Sequence, residues 1–255
     1  MRLPFHEPSR TFLLLWWIPA QFVICAACLA LSARSYPHYS LFDHDISFLG
    51  HPRLNSAGWL FWSAGMGLSG LMLWPVAVHM SGRMRALTAG QFAGQFAGRC
   101  RVVAAGTFAS RCACVGLVGL ALIPQFPDLD PAHELAGVLA MGGMYVALWS
   151  FAGVLICGAP ISVAKTLLFV LGVGWGPVGF LLTQSWRFFV YGELGHDGHA
   201  SPRYLLLRFS LWEWLLFICL FPALLLVVLR LPDPPSEPKA ADPSTDSQDA
   251  AEAAI

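Results

Sequence analysis

The 255-residue sequence is poor in charge: only 12% of it is Asp, Glu, Lys or Arg, about half the ~25% of a soluble globular domain. Neither sign is in excess, with fifteen Lys+Arg against fifteen Asp+Glu, so no one-signed field draws nucleic acid or another polyanion. Alternating apolar and polar segments of about ten residues are missing, which excludes an outer-membrane barrel. Cysteine is missing from every segment expected to face an oxidising compartment; all seven (Cys25, Cys28, Cys100, Cys112, Cys114, Cys157, Cys219) lie in or beside apolar runs. That disfavours a disulfide framework, and Cys25 and Cys28 lack the second pair that would complete a zinc site.

What is abundant is apolar: 56% of the residues are hydrophobic and the mean hydropathy is +0.61. A helix needs ~20 mostly apolar residues to cross ~30 Å of hydrocarbon. Six stretches meet this: Phe12–Leu31, Ala57–Met80, Val102–Ile123, His133–Cys157, Ala164–Trp186 and Leu205–Leu229. The sequence thus predicts an all-α membrane protein, a six-helix bundle over 1–231, with no separate soluble domain. The first run exceeds a signal-peptide core and is read as a retained helix.

Cations orient the bundle. With the N-terminus inside, nine of the fifteen fall on the cytoplasmic side; Arg83, Arg85, Arg99 and Arg101 form a second loop without an acid. Both termini are therefore expected in the cytoplasm, with a bacterial inner membrane as the expected location. Arg111 lies within the third span and is given no catalytic role. The tail from Pro232 to Ile255, acidic, Pro-rich and without aromatics, cannot bury enough apolar surface to order itself and is expected to be disordered. The tandem Gln91-Phe-Ala-Gly and Gln95-Phe-Ala-Gly is expected to lie at the interface.

Small residues crowd span two (Gly58, Ser63, Gly65, Gly67, Ser69, Gly70) and span five (Gly172, Gly174, Gly176, Gly179 around Pro177). They predict close helix packing and a broken fifth helix. Trp59, Trp62, Trp186, Trp212 and Trp214 are placed as an interfacial aromatic belt.

Histidine carries the chemical signal. Of eight, His38, His44, His51, His133, His196 and His199 fall in outer segments that make up about a fifth of the chain, together with Asp43, Asp45, Asp128, Asp130, Glu134, Glu193 and Asp197. Imidazole and carboxylate suit a divalent metal such as zinc, with His44, His133, His196 and His199 as its candidate ligands, and they also move protons near neutral pH. No spacing among them is diagnostic. Asp45, Ser47 and His133 are the candidate catalytic set; Asn55, Asp128, Glu134, Arg203 and Glu213 are the candidate substrate contacts. Glu213, at membrane depth, needs a partner, for which Arg203 or Arg208 is available. Asp130 is placed to cap the fourth span.

The segment Ile46-Ser47-Phe48-Leu49-Gly50, then Asn55 and a Gly-rich helix, with Phe126-Pro127-Asp128 ahead of His133, resembles the bacterial six-helix family known as domain of unknown function 998. That family is similar to the FRAG/DRAM/SFK-like membrane proteins. The resemblance implies six helices, inward termini and a lipid theme, without a mechanism.

Three function classes fit. The first is a protein that binds or organises lipid or a membrane-protein partner through a His/Asp/Glu-rich outer pocket. The second is a hydrolase or transferase on a lipid or lipid-linked substrate, with or without metal. The third is a small-solute or ion-coupled transporter.

Overall fold

The computed structural model describes residues 8–41, 44–91, 97–126, 129–158 and 209–231. Among these residues every regular element is helical. Five helices are long and apolar enough to cross a membrane. The expected fifth span (164–186) and the tail (232–255) lie outside the described residues, as does most of the tandem repeat.

Helix α1 occupies Arg10–Ser35. Ser9 caps it by accepting the amide of Phe12 at 3.2 Å. A π-helical turn, Leu13–Trp17, interrupts it early. Its cause is Pro19, which brings no N–H and whose ring would strike the carbonyl of Leu15, so the preceding turn widens. Helix α2 spans Trp59–Gln91 and runs well past the expected end at Met80. Between Met80 and Gln91 no proline interrupts it, and Thr88 and Arg85 bond back to the carbonyls of Met84 and Ser81. Helix α3 spans Ala97–Leu122. Helix α4 comprises Asp130–Gly137, a π-helical turn Val138–Gly142, and Gly143–Gly158. Helix α5 spans Phe209–Arg230.

Close helix approach accompanies an apolar core that includes Trp62, Met66, Leu148 and Phe151, as expected where small residues let helices meet. A Cβ added to Gly116 of α3 would stand 2.3 Å from the backbone nitrogen of Ala140, and one on Gly143 of α4 would stand 2.7 Å from the carbonyl oxygen of Ala109. Gly65 of α2 meets Cys28 of α1, and Gly70 meets the backbone of Cys114 on α3. Polar side chains add three ties. Trp17 donates to the Met72 carbonyl at 2.7 Å, Gln21 donates to the Ser69 carbonyl at 3.0 Å, and the Arg10 guanidinium donates to the Leu229 carbonyl. The last satisfies one of the orphan acceptors at the end of α5.

Helices α1 to α4 run up and down, so the C-terminal ends of α1 and α3 share one end of the bundle with the starts of α2 and α4, and the bond between Ile46 and Glu213 brings the start of α5 there too. The segment between α1 and α2 folds there, and it carries the chemistry.

Candidate functional site

The centre of this end is a 3-10 turn, Ile46–Gly50. Asp45, Ile46, Leu49 and Gly50 are buried, so the stretch does fold back onto the bundle. Each part of the turn is fastened to a different helix.

Its start is held by α5. The Ile46 amide donates to Glu213 Oε2 at 2.7 Å, a charge-assisted bond. The expected arginine partners of Glu213, Arg203 and Arg208, lie outside the described residues. Beside this bond, Trp214 donates its indole N–H to the Tyr39 hydroxyl at 3.2 Å. That hydroxyl reaches the carbonyls of His44 at 3.3 Å and Asp45 at 3.5 Å. Burial pushes the Tyr39 phenol well above its ordinary value; the Trp214 hydrogen bond opposes this, and the negative charges of Glu213 and Asp45 add to it.

The middle of the turn is held by α1 through Asn55. This side chain is fully buried, and its amide donates to Ser32 Oγ at 2.9 Å, to the Leu49 carbonyl at 2.9 Å and to the Ser32 carbonyl at 3.2 Å. The Ser32 hydroxyl in turn donates to the Leu49 carbonyl at 3.3 Å. Gly58 is required beside it, since a Cβ there would fall 2.4 Å from Asn55 Oδ1.

The end of the turn is held by α2 and α4. Gly50 lies flat on the ring of Trp62, leaving no room for a Cβ, which would stand 2.5 Å from the ring. The other ring partner of Trp62 is His133, stacked at 5.7 Å and 25°. Trp62 is only 2% exposed, so it is a core residue and the aromatic-belt expectation fails for it. His133, also buried, has Nδ1 2.7 Å from the carbonyl of Ile123, just past the end of α3. A carbonyl only accepts, so Nδ1 carries a proton, and in the neutral ring Nε2 holds the lone pair. The helix of His133 is capped by Leu129 without a side-chain bond, and Asp130 is its first residue instead of its cap.

The remaining expected residues sort as follows. His44 packs against Tyr36, Tyr39 and Phe48, and its Nδ1 accepts the Ser40 amide at 3.2 Å. His51 Nδ1 accepts the amides of Arg53 and Leu54. Ser47 is half-buried in the turn, and no hydrogen bond joins it to His133. Glu134 is exposed. Asp128, His196, His199 and Arg203 lie outside the described residues.

Two of the four candidate metal ligands can therefore be tested against the geometry. The lone pair of His133 Nε2 suits a metal. That of His44 Nδ1 is taken by a backbone N–H, which leaves the proton on Nε2 in the neutral ring. No ring contact joins the two histidines, and among the described residues no group of three His, Cys, Asp or Glu side chains is arranged to hold a metal. His196 and His199, the other two candidate ligands, lie outside the described residues.

Tyr39, Trp62, Trp214 and Ser32 were not singled out as site residues by the sequence. Trp62 had a signal, since it heads the buried stripe Met66, Ser69, Leu73, Val76, Met80, Met84 at helical spacing. Compared with protein-family models, curated proteins and solved structures, the chain matches none, so the likeness to domain of unknown function 998 rests on the residues named above.

Proposed function

We propose that this chain is a non-enzymatic membrane protein that binds and organises lipid at the turn end of its bundle. One observation carries this reading. Five described polar side chains that could do chemistry are already engaged with the backbone: Asn55 on Ser32 and Leu49, Glu213 on Ile46, His133 on Ile123, His44 on Ser40 and His51 on Arg53. Bonds of this kind rigidify a surface and leave few of these groups for turnover, although Asn55 Oδ1 is buried without a hydrogen-bond partner. Exposed Arg34 and Arg53, the latter over the Phe126 ring at 5.9 Å, supply cations for a headgroup phosphate.

In this proposal the chain spans a bacterial inner membrane six times, with both termini in the cytoplasm and the turn on the far side. The basic second loop supports that orientation. The family likeness supports the lipid theme.

One observation favours the enzymatic alternative: His133 Nε2 keeps a lone pair, the form a general base needs. Lipid profiling of cells lacking and overproducing the chain separates the two. A binding protein leaves the lipid species unchanged between cells expressing wild type, Asp45→Asn or His133→Ala at equal levels, and the purified chain retains phospholipid that Arg53→Ala weakens. A lipid species that disappears on deletion and returns with wild type but with neither variant defeats the proposal.

A further inference from the structure

The middle of the membrane holds a charge that no described residue answers. Arg111 lies eleven residues from Leu122 and thirteen from Gly98, the ends of a 25-residue membrane-length helix. At ~1.5 Å per residue, that is about 17 Å and about 20 Å. A hydrocarbon layer of ~30 Å puts both headgroup regions beyond one side-chain length, so snorkelling does not hydrate the guanidinium. Arg111 is exposed and makes no hydrogen bond or ion pair among the described residues. On the same face of α3, Phe108 is 70% exposed and Val115 60%, three residues before it and four after, so the cation is the centre of an apolar stripe.

The elements packed on α3 offer no counter-charge at that depth. Helix α2 carries His79, Arg83 and Arg85, and α4 carries Asp130, His133 and Glu134, all at its start. Across all six expected spans, the only acids are Glu134 and Glu213, and Glu213 sits near the start of α5 against Ile46. Intramembrane cations are expensive unless they are paired, and attraction to a carboxylate is strongest where water is absent.

We propose that the Phe108–Arg111–Val115 face of α3 docks a second membrane protein whose transmembrane helix carries a carboxylate near its midpoint. Charge complementarity selects that partner: an apolar helix covers the stripe, and one acid on it neutralises Arg111. A second copy of this chain does not fit, because it presents no acid at that depth, and a lipid phosphate cannot reach it.

The test uses the full chain, fluorescently labelled and reconstituted into zwitterionic bilayers, with synthetic polyleucine transmembrane helices that carry Glu, Gln or Leu at the central position. Energy transfer at neutral pH is expected to show the Glu helix associating at least tenfold more tightly than the Leu helix. Arg111→Leu should equalise the three helices, and Arg111→Lys should keep the preference. Because Arg111→Leu removes a charge from an exposed apolar stripe, the fold is expected to persist, checked by an unchanged Tm. Equal association of the Glu and Leu helices with wild type overturns the proposal. So does a Glu preference that survives Arg111→Leu, an Arg111-dependent dimer that excludes the helices, or displacement of the Glu helix by anionic phospholipid.

Discussion

The turn end of the bundle and its membrane middle invert what their compositions suggest. The turn end is rich in imidazoles and carboxylates, yet those described are largely engaged in holding backbone: Asn55, Glu213, His133 and His44 each secure a loop or a helix terminus. The middle is apolar core and glycine contacts such as Gly116 on Ala140, yet its exposed cation, Arg111, has no hydrogen bond or ion pair among the described residues. A polar residue signals function by being unanswered, and density of polar residues alone is a poor guide.

Substitutions sharpen this contrast, and the largest effect belongs to the glycine seam. Gly116→Leu must push α3 off the backbone of α4, and overpacking against atoms that cannot rotate away is expected to cost about 3 kcal/mol or more. Thermal melting in detergent should show loss of the folded species.

Asn55→Ala comes next. It removes the donor to three acceptors and leaves the buried Leu49 and Ser32 carbonyls short of a partner, for about 2–3 kcal/mol. Ser32→Ala, which removes only the relay, should cost about 1 kcal/mol in the same melt. Equal losses would show that Asn55 does not act through all three bonds. His133→Ala empties the space beside Trp62 and orphans the Ile123 carbonyl, for about 2 kcal/mol, with a change in tryptophan fluorescence as a second readout.

The smallest effect is alkaline. Tyr39 has a phenol raised above its ordinary value by burial, so its contribution to stability is complete below about pH 10 and falls as the pH rises through the folded-state value. Tyr39→Phe should flatten that alkaline decline while leaving the neutral-pH melt nearly unchanged. An equally steep decline in the variant would assign it to another group.

Much of the fold was legible because hydrophobic length is a strong signal: the described helices lie at five of the six predicted stretches. Their ends were less legible. Helix α2 continues to Gln91 because the loss of apolarity at Met80 does not by itself end a helix, and no proline follows before Gln91. The site was legible in its residue types, since Ile46–Gly50, Asn55, His133 and Glu213 do meet at one end. Their roles were not. A membrane helix is apolar on its lipid face as well as its core face, so periodicity could not separate buried Trp62 and Met66 from exposed Leu60 and Leu71 on the same helix. Nor could the sequence show that Glu213 would take a backbone amide, because such a partner has no residue type to read.

The central claim is that the turn is fastened at its start by Glu213, and hydrogen–deuterium exchange over residues 46–50 tests it directly. In wild type these amides should exchange slowly. Glu213→Ala should speed exchange at Ile46 at least tenfold, while Glu213→Gln, which keeps an acceptor oxygen, should preserve most of the protection. Unchanged exchange at Ile46 in Glu213→Ala would contradict the account.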